Sequence, residues 1–449
     1  MSAASESSLY EILLLESNDQ KRTVDIRLGA ISIDYYEDVF SPSVTAKIKV
    51  VNTGDSISPP NSDGNPDGPR QSLYHGLPLR GGERLAIKVR DQGISKDGET
   101  KKGLDFSQSS KRYLYVSSIT DVISETQRES FTLNLVSREA ITNETARVSK
   151  KYPTNLTIDQ SVNLILKNVL KTDQIGKLDK SINKYGFIGN MKKPFNVLTW
   201  LASKAVPDIG KNSTAGFLFY QTQDGFQFRS IDGLIGQESK ASYKYTEKNE
   251  SSITRNNDFN ILNYSTDKNQ NLIEKLRLGT YSTSRSYFDP LSFNFYGGKF
   301  SLPNYQDKIK NLGGKPIDLP RISSSSNQSL GEVPTRTLCS ILDVGTMEKG
   351  VSKDVNADPI NYQAQALMRY NVLFTQTLSM IVPCNTELRA GDIINCEFPK
   401  ISSEDINEID REQSGLYMIK ELCHHFEPNR SYTSMKLVRD TFGKNKPSS

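Results

Sequence analysis

Apolar and polar residues alternate through much of the first fifty positions, the period of half-buried strands. Leu9–Leu15, Val24–Val39 and Val44–Val51 read as three strands, clearest in Ile31-Ser32-Ile33-Asp34-Tyr35 and over Val44–Val50. Segments 83–91, 112–123 and 130–137 add three more. Between the two groups, Gly54–Pro69 carries four prolines and three glycines and cannot continue a ladder. This region predicts a small β-barrel or tight sandwich.

From about residue 141 the period becomes helical. Thr157 is placed to cap a helix whose Ile158, Val162, Ile165, Leu166 and Val169 share one face. A second helix opens at Pro194, buries Val197, Leu198, Trp200, Leu201 and Ala205, and stops before Pro207. Phe217-Leu218-Phe219-Tyr220 and Phe226-Gln227-Phe228 flank Asp224-Gly225, a hairpin signal. Strand character returns near Phe259-Asn260-Ile261-Leu262 and is read on through Ile273–Tyr281. Residues 291–360, with Gly297-Gly298, Gly313-Gly314 and Ser323–Ser326, have few apolar positions. A short helix over Tyr362–Arg369 leads into a strand over Val372–Val382.

The closing stretch Leu388–Phe442 repeats an earlier phrase. Leu79-Arg80-Gly81-Gly82-Glu83 and the apolar residues after it match Leu388-Arg389-Ala390-Gly391-Asp392 and the run to Cys396. Leu114-Tyr115-Val116 aligns with Leu416-Tyr417-Met418. Without a gap, Glu125 then meets Glu427, Arg128 meets Arg430, and Leu135-Val136 meets Leu437-Val438. Blocks in one order with similar turns between them indicate a duplicated module. The expected fold is mainly β with an α+β insertion. Two homologous small β-barrel domains occupy 1–140 and 251–290 plus 361–449. A helical and hairpin middle domain fills 141–250, and a loop-rich subdomain 291–360.

Composition narrows the function classes. A chain of 449 residues holds two to four domains with real cores. A net charge of +4 is too weak to argue for nucleic-acid binding. No run of about 18 apolar residues suggests a membrane span, and the first residues lack a signal-peptide pattern. Cys339, Cys384, Cys396 and Cys423 show no metal spacing and read as reduced packing residues. His424-His425 would point to opposite faces of a strand, one into the core and one toward a partner, so they cannot readily share a metal. His75 has no local companion. The acidic neighbours Glu37-Asp38 and Glu408/Asp410 are expected by chance among 52 acidic residues. Gly81-Gly82 and Gly391 precede strands, so they read as turn glycines rather than a phosphate cradle. Lys101-Lys102 and Lys192-Lys193 read as solvated surface. No catalytic, cofactor or metal site emerges. That points to a structural or assembly protein.

The same residues resemble a known family. Leu388–Asp392, Ser414-Gly415-Leu416-Tyr417-Met418-Ile419, His424-His425-Phe426 and Tyr432–Arg439 are similar to the end of baseplate central hub proteins of contractile-tailed phages. The likeness is closest to T-even-like phages, cyanobacterial ones included. Lys193–Leu201 with Gly216–Tyr220 resembles their middle domain, and Ile33–Asp38 their opening. The resemblance implies a homotrimer whose six tube-type barrels form a pseudo-sixfold ring around a channel. That ring would join the sixfold tail tube to the threefold spike. Implied partners are the tail tube protein, a spike on a separate chain, baseplate wedge proteins against 291–360, and the tape measure protein in the channel, with the genome passing through unbound. The place is the virion tail baseplate. Candidate interface strands carry Ile31, Ile33, Tyr35, Leu114, Tyr115, Val372, Phe374, Tyr417, Tyr432, Met435 and Leu437. Two other classes stay open. A virion-associated cell-wall hydrolase would need two converging carboxyls, and a carbohydrate- or receptor-binding tail protein would use tyrosine-rich loops.

Overall fold

The computed structural model describes residues 9–53, 57–58, 68–77, 79–90, 103–209, 214–245, 259–269, 271–290, 292–317, 319–342, 359–400 and 409–443. Its first unit contains β1 (Leu9–Glu16), β2 (Thr23–Asp25), β3 (Ala30–Asp38) and β4 (Thr45–Thr53). It continues with α1 (Leu73–Gly76), β5 (Arg84–Arg90), β6 (Leu104–Phe106), β7 (Leu114–Ser124) and β8 (Arg128–Ser137). Alternation does its expected work here. Leu13, Leu15, Ile33, Tyr35, Ile48, Leu85, Ile87, Leu114, Leu133 and Leu135 all face one core. Most of the proline-rich loop Gly54–Pro69 lies outside the described residues.

The middle region holds α2 (Arg138–Thr145), β9 (Lys151–Tyr152), α3 (Ile158–Asn168), β10 (Ile175–Leu178), β11 (Phe187–Ile188), α4 (Pro194–Ala202), β12 (Phe217–Thr222), β13 (Gly225–Ser230), α5 (Ile231–Ile235) and β14 (Ser239–Lys244). Thr157 caps α3 as expected, and the Gln160 side chain accepts the Thr157 N–H at 3.2 Å, which closes a capping box. The β12–β13 hairpin turns through Gln223-Asp224, with Gly225 at φ 110° already paired to Thr222.

The remaining elements are β15 (Asn263–Asn269), α6 (Leu272–Leu278), β16 (Ser282–Phe288), β17 (Phe295–Ser301), β18 (Arg336–Ile341), α7 (Pro359–Val372), β19 (Gln376–Pro383), β20 (Ile393–Glu397), β21 (Gly415–Phe426) and β22 (Ser431–Arg439). Two expectations need correcting. Ile273–Tyr281, read as strand, is mostly the helix α6. Asn271 Oδ1 accepts the Glu274 N–H at 3.1 Å, and Gly279 at φ 70° ends it. The helix α7 also runs on to Val372, so the strand expected from that residue starts at Gln376. Val372 closes the helix inside a core with Tyr281, Phe300 and Met368, and Phe374 lies in the turn beyond. Neither is on a strand. Helical burial overrode the strand propensity of the Val-Leu-Phe run. The stretch read as loop-rich also contains β17 and β18, which flank β16 in a three-stranded sheet.

A fourteen-stranded sheet carries both repeats. Its first unit runs β3-β4-β8-β7-β5-β1, and its second β15-β19-β22-β21-β20-β14. The first five strands of each correspond in order, whereas β1 pairs antiparallel with β5 and β14 parallel with β20. Tyr243, Leu378, Met380, Tyr417, Ile419, Met435 and Leu437 fill the second core. Among the described residues no ladder closes either unit into a barrel. A single bridge, Lys244–Asn260, comes nearest in the second.

Candidate assembly site at the junction of the repeats

The two copies share backbone detail. Gly82 N–H donates to the Val116 carbonyl at 2.7 Å, and Gly391 N–H to that of Ile419 at 2.8 Å. In return, Val116 N–H reaches Glu83 O and Ile419 N–H reaches Asp392 O, both at 2.9 Å. Gly81, Gly82 and Gly391 have φ of 95°, 94° and 91°, the left-handed turn expected of them. The hairpin ends match too: Glu125 N–H donates to Arg128 O at 2.7 Å, and Glu427 N–H to Arg430 O at 2.9 Å. One register is corrected. Val116 corresponds to Ile419 rather than Met418, because β7 carries an extra bulge between Thr120 and Ile123 that β21 lacks.

The copies meet edge to edge. β3 and β21 pair antiparallel over six positions, Ile33 opposite Phe426 through Asp38 opposite Glu421. Each backbone hydrogen bond nets about 0.5–1.5 kcal/mol, and the seam also buries Tyr35, His424 and Phe426 completely. Together these fix how the units sit. His424 stacks on Tyr35 with centroids 6.2 Å apart, and its Nδ1 lies 3.0 Å from Thr433 Oγ1. Burial pushes its pKa down to about 3. His425 points the other way, Nδ1 2.5 Å from Asp34 Oδ1 and Nε2 3.0 Å from Glu427 Oε1. The bond to Asp34 raises its pKa. So one histidine is in the core, and the other faces the chain's own first unit. At the seam's edge Lys420 Nζ reaches Asp38 at 3.2 Å.

A buried carboxylate joins three parts of the molecule. Glu37 Oε1 accepts the Tyr35 hydroxyl at 2.9 Å and the Gln223 N–H of the hairpin turn at 2.6 Å. Its Oε2 accepts the Ala390 N–H of the second glycine turn at 2.9 Å. Burial raises its pKa, opposed by the nearby Arg389 charge and these N–H donors. Arg389 in turn donates to Asp224 Oδ2 at 3.1 Å and to the Thr386 and Leu388 carbonyls. Sequence reading passed over this pair. The signal was present: Ile33, Tyr35 and Glu37 share one face of an alternating strand, so an acid sits on a core-facing position.

Of the candidate interface residues, Ile33, Tyr35, Leu114, Tyr417, Met435 and Leu437 are fully buried in the chain's own cores. Tyr417 donates to the Gln413 carbonyl at 2.6 Å. Tyr115 is half-buried beneath the Arg138 guanidinium, and Tyr432 is half-buried and stacked on His425 at 4.5 Å. Phe374 packs on Phe40 at 5.4 Å, and Ile31 stays exposed. Glu37 and Asp38 lie on opposite faces, as do His424 and His425. Glu408 and Lys101-Lys102 lie outside the described residues. His75 gains a distant companion, Glu129, at 3.9 Å. Among the described residues no group of three or more His, Cys, Asp or Glu is placed to hold a metal ion.

The sequence is 22% identical over 304 residues, 63% of this chain, to the probable baseplate hub protein gp334 of Vibrio phage KVP40. The match spans 66% of that relative, just under two thirds of its length. The expected resemblance to phage baseplate hub proteins is borne out there. Two solved structures align along nearly the whole chain. The tail protein from Neisseria meningitidis MC58 gives a TM-score of 0.49 at 9% identity, over 97% of each chain. The 43 kDa tail protein of prophage MuSo2 from Shewanella oneidensis gives 0.48 at 10% identity, over 96% of this chain and 98% of that one. No protein-family model matches the chain.

Proposed function

We propose that this chain is a structural hub of a contractile phage tail baseplate, without enzymatic activity. It acts as a homotrimer that joins a sixfold tube to a threefold spike around an open channel. The β3–β21 seam carries the reading: two like units of one chain are already joined edge to edge, as neighbours in a ring would be. A head-to-tail contact of that kind, repeated between chains, either closes or grows without limit. Closure after three chains gives six seats. The partners that follow are the tail tube, spike and wedge proteins, with the tape measure protein and genome in the channel.

The purified chain should have the mass of three copies by light scattering, and averaged electron-microscope projections should show an open torus. A monomer at tens of micromolar with no ring in projection would end the proposal.

A further inference from the structure

Away from the seam, the middle region carries a cleft of about 350 Å³ with Arg229 of β13 in its wall. It opens beside the stretch that follows β10. There Asp179 N–H donates to the Phe228 carbonyl at 2.8 Å, and Asp208 N–H to that of Lys180 at 3.0 Å. Alternation along β13 puts a charge at this place. Phe226 and Phe228 enter the middle core, so Gln227 and Arg229 occupy the opposite face. Arg229 is only 7% exposed. A guanidinium withdrawn so far from water is costly unless its charge and its N–H groups are both matched.

Asp179 matches the charge but not the donors. Its Oδ1 accepts from Arg229 Nε at 3.1 Å. Its Oδ2 takes the Ser230 N–H at 2.9 Å and the Ser230 hydroxyl at 3.2 Å. Arginine has five N–H donors, and the Nε bond uses one. Among the described residues the guanidinium has no other polar contact, yet neither terminal nitrogen is sealed from water. Its forked end therefore opens on the cleft. Lys177 and Lys180 are exposed at the margin, and Asp208 is the one further acid among the lining residues. No side chain from α5 fills the space, because Gly233 lines it. Ile209 lies over that glycine, its Cδ1 3.6 Å from where a Cβ would stand, and is itself 41% exposed. With Leu178 it gives the cleft an apolar side.

We propose that this cleft binds a carboxylate carrying a short aliphatic body. The two carboxylate oxygens take the fork of Arg229 side by side, the geometry in which these groups match. Lys177 and Lys180 add attraction from the margin, and the hydrocarbon lies on Leu178 and Ile209. Asp208 sets a limit: a single negative charge is accepted, and the second charge of a phosphate is opposed. A free acid, an acidic side chain and a chain terminus all supply that group. The site lies within one chain, so it does not depend on how copies assemble.

The test titrates butyrate and acetate onto the full chain at pH 7, with saturation transfer from protein to probe read by proton NMR. Butyrate should bind with a Kd of about 1–10 mM, and acetate at least about threefold more weakly. Inorganic phosphate at equal concentration should displace little butyrate. Arg229→Lys keeps the charge beside Asp179 and loses the fork, so butyrate should bind at least about fivefold more weakly while circular dichroism stays unchanged. Asp208→Asn should tighten butyrate about twofold. Ile209→Ser should weaken butyrate and leave acetate as it was. Should Arg229→Lys fail to fold, Lys177→Glu/Lys180→Glu at exposed positions replaces it, with a loss of at least about fivefold expected. N-acetylvaline presents a chain end and N-acetylglutamate α-amide a side-chain acid; binding of either supports the site, and the tighter names the source. A butyrate Kd above about 50 mM, a loss below about twofold in the variant used, or full competition by phosphate overturns it.

Discussion

The two glycine turns are built on one frame and differ by a methylene. In the first, Glu83 accepts from the N–H groups of both Arg80 and Gly81, at 2.7 and 3.0 Å, so the turn satisfies itself. In the second, the shorter Asp392 accepts from Arg389 at 2.8 Å. The next N–H, on Ala390, goes to Glu37 of the other unit. A shorter acid thus leaves a donor that a distant strand can accept from. Surroundings follow: Arg80 and Gly82 are exposed, whereas Ala390 and Gly391 are buried under the hairpin. The two turns differ in whether the second N–H stays within its own turn or reaches the other unit.

Removing Glu37 is the strongest way to break that contrast. Glu37→Ala leaves the Gln223 and Ala390 donors unpaired and Arg389 without its buried counter-charge, so roughly 3–5 kcal/mol should be lost. Glu83→Ala also empties a buried site, leaving the Arg80, Gly81 and Asn18 donors. It removes no contact to the other unit and Arg80 itself is exposed, so a smaller loss of about 1–3 kcal/mol is expected. Urea midpoints followed by circular dichroism would separate the two. Equal losses would mean that Glu37 serves only its own neighbourhood.

The glycines sharpen the same contrast at smaller scale. Alanine at position 82 or 391 must adopt a left-handed φ, at about 1–2 kcal/mol. A Cβ on Gly82 meets the Asn18 side chain at 3.0 Å, which can swing away. On Gly391 it runs into the Tyr220 hydroxyl beneath Leu234, adding about 1–3 kcal/mol of overpacking. Gly391→Ala should therefore lower the thermal midpoint more than Gly82→Ala. A reversed order would show that the second turn is loosely packed.

The sequence displays the repeat better than the joint. Glycine turns and the Glu125/Glu427 hairpin ends are local, and local chemistry is readable from spacing. The bulge in β7 is local as well, yet it hid in a gapless alignment and displaced one block by a residue. For a strand that displacement exchanges faces: Leu416 is half-buried where Leu114 is fully buried. The β3–β21 pairing left no trace of its own, since alternation tells which face is apolar and not which edge finds which. Leu272–Leu278 was misread because its cap Asn271 and terminator Gly279 were weighed less than its apolar content.

The smallest expected effect tests the seam through its histidines. The first copy has Ile123 where the second has His425, so it carries no imidazole at that level. Asp34, then Glu427, raise the His425 pKa above its ordinary value near 6.5. Its stabilisation is thus complete below about pH 6.5 and fades as pH rises through the folded value. Water reaches the ring and screens the pair, so about 0.5–1 kcal/mol is involved. His424 acts oppositely: held near 3 by burial, it refuses a proton that the unfolded chain takes up, and stability falls as pH drops from 6.5 toward 3. His425→Asn should abolish the loss above pH 6.5 and leave the acid limb in place, read from urea midpoints between pH 4 and 9. An unchanged alkaline limb would mean that the Asp34–His425–Glu427 contact holds no charge, and that the seam rests on its ladder and on buried Tyr35, His424 and Phe426 alone.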